Sequence, residues 1–168
     1  MHGKQKQRIG IMSDSHDNRA AVKEAVSFFN GASCGLVLHA GDIIAPFTAE
    51  ELSRCSCPVK AVFGNCDGEK QGLRRKFAGW GEILEPPLDF EWTGLRFRLV
   101  HTDDRVDEFV NSKKFDVVVF GHTHKPEIRK EQGCLAVNPG ECGGWLTGKK
   151  TVSLLDAESR SAEIISLD

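Results

Sequence analysis

Short apolar runs recur along the chain, and each of the early ones stops at a cluster of turn-forming residues. Ile9-Gly10-Ile11-Met12 runs into Ser13-Asp14-Ser15-His16-Asp17-Asn18, Leu36-Val37-Leu38-His39-Ala40 into Gly41-Asp42, and Val59-Lys60-Ala61-Val62-Phe63 into Gly64-Asn65-Cys66-Asp67-Gly68. Apolar runs this short, bounded by Gly and Asp, predict parallel strands covered on both faces. Between the first two, Ala21, Ala25, Phe28 and Phe29 recur at three- and four-residue spacing, which predicts a helix with one apolar face. Asp17 or Asn18 is its candidate N-cap and Gly31 its stop. Residues 46–54 predict a second, shorter helix with Pro46 near its start. The first 65 residues therefore read βαβαβ, which implies a parallel sheet with right-handed crossovers.

The pattern then shifts. Residues 82–100 contain Glu82-Ile83-Leu84, then Leu88-Asp89-Phe90-Glu91-Trp92, then Leu95-Arg96-Phe97-Arg98-Leu99-Val100 leading to His101. The last two runs alternate and flank Thr93-Gly94, a hairpin signal. A helix is predicted from about Asp104 to Ser112, and a buried strand over 115–120 that ends at Gly121-His122-Thr123-His124. The tail predicts three more strands, over 134–137, 150–156 and 162–166. No repeat or domain boundary interrupts this order, so residues 1–168 read as a single domain that is α/β at first and mostly β later.

Composition narrows the partners. A net charge of -2 gives no general attraction to nucleic acid or acidic membranes, so neither is an expected partner. Lys70, Arg74, Arg75 and Lys76 form a local basic cluster, read as a solvated helix face rather than a positive lip. No apolar run approaches the roughly 20 residues of a membrane span. The polar, basic start, Met1 to Arg8, lacks the apolar stretch of about 7–15 residues that a signal peptide needs. The six cysteines (Cys34, Cys55, Cys57, Cys66, Cys134, Cys142) include no Cys-x-x-Cys pair and are read as reduced thiols, which suits a cytoplasmic protein. Trp80, Trp92 and Trp145 suit either core or interface, and a homo-oligomer stays open.

The chemistry-bearing residues share a position: each follows a predicted strand. Asp14 and His16 follow the first, Asp42 the second, Asn65 the third, His101 the second hairpin strand, and His122 and His124 the strand over 115–120. The carboxyl ends of strands are where open α/β sheets bind ligands. Any one of these residues alone reads as a turn former, a cap or a surface histidine; seven at five strand ends do not. His39, inside a strand, and His2, at the terminus, are read as non-ligands. Carboxylate, imidazole and amide donors without a required thiolate suit Mn, Fe, Ni, Zn or Co. Seven ligands exceed what one ion needs and suggest two ions sharing a carboxylate. Two cations about 3.5–4 Å apart hold a hydroxide between them and stabilise in-line displacement at phosphorus. The expected activity is metal-dependent phosphoester hydrolysis on a small-molecule substrate.

The ordered blocks Asp14-Ser15-His16, Gly41-Asp42, Gly64-Asn65-Cys66-Asp67, His101, Gly121-His122-Thr123-His124 and the later Asn138-Pro139-Gly140 resemble those of the calcineurin-like metallophosphoesterase superfamily. The resemblance implies two mixed β-sheets packed together and flanked by helices, a four-layer αββα sandwich. It implies that Asp14, His16, Asp42 and His124 hold one metal and that Asp42, Asn65, His101 and His122 hold the other, Asp42 bridging. Mn2+ is the first expectation, with Ni2+, Fe2+, Zn2+, Co2+ and Mg2+ as alternatives. The short chain is similar to the branch of small phosphodiesterases related to the Vps29 subunit of retromer. The catalytic positions it marks are Asn65 and Cys66. In many members the Cys66 position is a histidine that helps protonate the leaving group, and a thiol of pKa near 8.5 is a poor substitute. Thr102 stands where glycine is usual. Glu141 stands where a small residue is common, and there a carboxylate facing the substrate would repel it. The alternatives are a retromer-subunit-like scaffold with a relic metal site, and a phosphomonoesterase.

Overall fold

The computed structural model describes residues 7–167. The readings of His2 and of the chain's first residues lie outside this range. The elements follow in the order β1 (Arg8–Met12), α1 (Arg19–Gly31), β2 (Leu36–His39), α2 (Pro46–Leu52), β3 (Val59–Val62), α3 (Lys70–Phe77), β4 (Gly81–Leu84), β5 (Leu88–Trp92), β6 (Leu95–Leu99), α4 (Val106–Asn111), β7 (Val117–Val119), β8 (Glu127–Glu131), β9 (Cys134–Asn138), β10 (Thr151–Asp156) and β11 (Ser161–Ser166).

The strands form two mixed sheets. One has the order β11-β10-β1-β2-β3-β4, the other β5-β6-β7-β9-β8. Strands β1 to β4 are mutually parallel, with Ile9 opposite Leu36, Val37 opposite Val59 and Val59 opposite Gly81. In the second sheet β6, β7 and β9 are parallel, while β5 and β8 add antiparallel edges. The predicted parallel strands are thus confirmed but divided: the βαβαβ portion builds one sheet, the strands before His101 and His122 the other.

The two-residue period of the strands decides the layers. Ile9, Ile11, Leu36, Leu38, Val62, Val117, Val119, Leu135 and Val137 point between the sheets. Their neighbours Met12, Val37, Val59 and Ala61 pack against α1 to α3. On the far side Val118, Cys134 and Ala136 pack against Val106, Phe109 and Val110 of α4. Three apolar layers separate four layers of secondary structure. Burying each of these side chains stabilises the fold by about 1.5–3 kcal/mol.

Local chemistry places the ends. Asn18 caps α1 by accepting from Ala21 N at 3.1 Å. Asp17, the other candidate cap, instead accepts from Ala45 N (3.0 Å) and Thr48 Oγ1 (2.7 Å), fastening the β1 loop to α2. Thr93 and Gly94 both take positive φ, the conformation a two-residue hairpin demands. One strand, β8, lacked a sequence signal, and β4 matches the short run Glu82-Ile83-Leu84. β8, Glu-Ile-Arg-Lys-Glu, is a polar edge strand whose Arg129 pairs with Asp107, Glu127 and Glu131. β4, containing Ile83, is a short edge strand paired parallel to β3. The basic cluster does lie on a helix, α3, but three of its members are engaged: Lys70 and Arg74 sit over the Phe63 ring and pair with Glu85, and Lys76 pairs with Glu50. None of the six cysteines is disulfide-bonded, and no helix among the described residues is long and apolar enough to cross a membrane.

Candidate metal centre

The loops that leave β1, β2, β3, β6 and β7 meet at one end of the sandwich. The β1 and β2 loops are joined by backbone hydrogen bonds: Asp14 N donates to Gly41 O (3.0 Å), His16 N to Asp42 O (3.0 Å) and Asp17 N to Ile43 O (3.2 Å). The second sheet is tied in by His122 N, which donates to Asp14 Oδ2 at 3.0 Å across a sequence separation of 108. Asp14, His16, Asp42, His122 and His124 all take positive φ, between 41° and 69°. Each such non-glycine residue costs roughly 1–2 kcal/mol. Strain of this kind persists where surrounding bonds over-determine the backbone, and it clusters at functional loops.

Steric contact explains the glycines that precede Asn65 and His122. A Cβ on Gly64 would lie 2.1 Å from Asp42 Oδ1 and 2.5 Å from Asp42 N. A Cβ on Gly121 would lie 2.0 Å from Ser13 Oγ and 2.6 Å from Asp14 Oδ2. Only a residue without a side chain lets these strand ends approach the carboxylates.

All seven sequence-predicted residues come together. His16 Nε2 lies 3.6 Å from Asp14 Oδ1 and 3.4 Å from Asp42 Oδ2. His124 Nε2 lies 3.4 Å from Asp14 Oδ1. On the other side His101 Nε2 lies 3.3 Å from Asp42 Oδ2 and 2.8 Å from Asn65 Oδ1, which also meets His122 Nδ1 at 3.1 Å. Asp42 is thus common to both groups. Asp14 Oδ1 and His16 Nε2 are buried and make no hydrogen bond, although they face one another. Buried polar atoms without partners are costly, and lone pairs converging on one point fit a cation. His101 Nδ1 donates to Ala40 O at 2.7 Å, which aims Nε2 at the site, where its lone pair becomes available once its proton leaves.

The charge balance also favours a cation. Burial pushes the Asp42 carboxyl up, but hydrogen bonds from His101 and from Cys66 N–H outweigh it and bring its pKa to about 2. The Asp14 carboxylate facing it raises the pKa of His16, so this imidazole holds a proton in the place a metal would take. Cys66 shapes the site through its backbone, donating N–H to Asp42 Oδ1 at 2.9 Å. Its exposed thiol is raised in pKa by partial desolvation and by the nearby Asp42 carboxylate.

Four supporting residues carried no assigned role in the sequence. Asp67 accepts from the N–H groups of Asp42, Ile44 and Gly64 at 2.9, 2.7 and 2.7 Å, fastening the β2 and β3 loops; its place in the Gly-Asn-x-Asp block was the available signal. His39, read as a non-ligand, is fully buried: Gly41 N donates to its Nδ1 (3.1 Å) and its Nε2–H points at Ser15 Oγ (3.0 Å). Burial depresses its pKa to about 4. Glu141 turns away from the substrate side. Its carboxylate accepts from Leu146 N (2.7 Å) and Thr147 N (2.9 Å), and Oε2 lies 3.6 Å from His124 Nδ1. The expected repulsion is thereby avoided. The loop it fastens also carries Trp145, exposed, whose Nε1 donates to His16 O at 3.0 Å.

Groups of carboxylates and imidazoles able to hold a metal ion, gathered at the strand ends of an αββα sandwich, define a class of metal-dependent phosphoesterase architectures. The chain belongs to the calcineurin-like phosphoesterase superfamily, whose domain matches residues 8–160. It is 33% identical to a phosphodiesterase of Methanocaldococcus jannaschii over 165 residues, covering 96% of this chain and 99% of that one. A solved archaeal phosphodiesterase superposes with a TM-score of 0.89 at 32% identity, over 95% of this chain and 99% of its own. The zinc-complexed Vps29 of Entamoeba histolytica shares the fold, with a TM-score of 0.68 at 18% identity over 96% and 99% of the two chains.

Proposed function

We propose that residues 1–168 act as a single-domain, two-metal phosphodiesterase in the cytoplasm, with Mn2+ as the first choice of ion. The observation that carries this reading is the position of Asp42, whose Oδ2 lies 3.4 Å from His16 on one side and 3.3 Å from His101 on the other. Asp14, His16, Asp42 and His124 would hold one ion, and Asp42, Asn65, His101 and His122 the second. Bound there, two divalent ions supply Lewis acidity toward the phosphoryl oxygens and lower the pKa of water from 15.7 toward roughly 7. The protein supplies the rest. Asp42 stays ionised at neutral pH, Ala40 O and Asp67 hold the loops in register, and Asn65 presents its amide oxygen where both histidines converge. Cys66, protonated at neutral pH, is a weak proton source for a departing alkoxide. The named phosphodiesterase relative and the archaeal phosphodiesterase fold support a diester substrate, and the zinc complexed by the Vps29 relative supports divalent-ion binding at this fold.

The test is hydrolysis of bis(4-nitrophenyl) phosphate and of 4-nitrophenyl phosphate after chelation, with and without added Mn2+. Metal-dependent turnover that favours the diester is the expected result. A preference for the monoester would make the protein a phosphomonoesterase. Absence of metal-dependent turnover of either would overturn the enzymatic reading in favour of a scaffold.

A further inference from the structure

Beside the proposed second metal site lies a cavity of about 380 Å³ that no part of the metal cluster explains. It touches the cluster at Asn65 and His101, then runs outward between the loop after β4, the end of β6 and the start of α4. Its volume falls at the lower end of the roughly 300–1,000 Å³ of small-ligand pockets. Phe63, Val100 and Phe109, all buried, are among its apolar wall residues, and Pro86 and Pro87 add to the wall from the exposed rim.

The cations on its border are already paired, and among the described residues the Asp104 carboxylate there accepts only from Thr102 Oγ1. Lys70 pairs with Glu85 at 2.9 Å, Arg98 with Asp89 at 2.6 Å, and Arg105 with Glu108 at 2.7 Å. Arg98 is further held between the rings of Phe109 and Phe115, its guanidinium carbon 4.5 and 4.3 Å from their centroids. Cations committed in this way offer little to a second anionic group. Thr102 and Asp104 add polar atoms near the mouth. An aromatic and proline wall whose bordering cations are paired suits an uncharged flat ring with a polar edge.

Resting on the phosphodiesterase reading above, we infer that this cavity receives a planar aromatic substituent of the diester, an aryl ring or a nucleobase, while its phosphate lies over Asn65 and His101. Phe63, Val100 and Phe109 then determine specificity, and Thr102, the departure from glycine noted in the sequence, borders the entrance. Simple alkyl diesters would use the metal cluster without this wall.

The inference is tested by calorimetric titration of Mn2+-loaded protein with phenylphosphonate and methylphosphonate, neither of which is a phosphoester. The phenyl compound is expected to bind about tenfold more tightly, the order given by burying part of a ring. Thr102→Trp, which fills the mouth, and Arg105→Trp, which narrows it farther from the metal ligands, are expected to abolish that ratio and leave methylphosphonate affinity within about threefold. Thymidine 5′-phosphate titrated against ribose 5-phosphate separates the two ring sources: a matching preference supports a nucleobase, and equal binding of this pair alongside a phenyl preference supports an aryl ring. Equal binding in both pairs overturns the inference, as does a phenyl preference that survives in both folded variants. These titrations do not depend on turnover. A protein that hydrolyses no diester but keeps the phenyl preference would lose the phosphodiesterase reading and keep the pocket.

Discussion

Around Asp14, His16 and His124 the loops are bonded to one another's backbones, whereas Asn65 and His122 are exposed and Asn65 borders an open cavity. Asp14 is fully buried, its backbone pinned to Gly41 and its Oδ2 to His122 N–H. Asn65 makes its contacts through its side chain, to His101 and His122. The first group is therefore held mainly by loop backbones, while the second combines a buried His101, fixed by Ala40 O, with the exposed side chains of Asn65 and His122. A preorganised site loses little entropy on binding and holds its ligand geometry. An exposed one exchanges more readily and leaves room for substrate. Under the two-metal proposal, this division would suit one ion that stays and another that shares its surroundings with the phosphate.

Asp42 belongs to both halves, so its loss should erase the distinction. Asp42→Asn is expected to lower kcat/KM on an aryl diester by on the order of 10³-fold, several kcal/mol of electrostatic stabilisation. Elemental analysis should show bound metal falling from about two ions to fewer than one per chain. Retention of two ions would refute the shared role. By contrast Asn65→Ala should leave one ion bound.

Gly64→Ala attacks the second half through the first. The added methyl lies 2.1 Å from Asp42 Oδ1 and also meets backbone, so neither neighbour yields cheaply. Chemical denaturation of the metal-free protein should show a loss of about 3 kcal/mol, the upper range for overpacking. Metal titration should show weakened binding at both positions. An unchanged midpoint would mean that the β3 loop is looser than described.

His39 tests the rigid half by pH. Its pKa is 6.5 when unfolded and about 4 when folded. Between those values the unfolded chain binds a proton that the folded chain refuses, so stability falls as pH drops from 6.5 to 4. The full effect is about 3 kcal/mol, at roughly 1.36 kcal/mol per pKa unit. Metal-free wild type should therefore lose that much more than His39→Gln between pH 7 and pH 4. The raised pKa values of His16 and His101 act in the opposite direction in both proteins and cancel in the difference. Parallel stability curves would show that the buried imidazole takes up its proton without resistance.

The smallest effect concerns leaving groups. With a neutral thiol at residue 66, aryl diesters should be cleaved much faster than alkyl ones. Cys66→His should narrow that gap by about tenfold, a modest share of what a positioned acid supplies. A gap unchanged by the substitution would place the proton source elsewhere.

The chain by itself determined most of its strands and roughly where they end. The apolar runs at Ile9–Met12, Leu36–His39 and Val117–Val119 were legible because burial on both faces leaves them apolar but for the terminal His39. The seven candidate ligands were legible because each directly follows such a run, and the ordered blocks they form resemble one superfamily. Tertiary structure decided the rest. Packing of two separate sheets, rather than one, brings Asp14 and His122 together across 108 residues, a contact to which no local periodicity corresponds. β8 was invisible because an edge strand with charged side chains has no alternation to reveal it. Glu141 looked hostile to an anionic substrate until the 144–149 loop supplied the two N–H groups that turn it away. Local sequence encodes which face of an element is apolar and where it stops; which loops then share a carboxylate follows from the rigid packing of elements far apart in the chain.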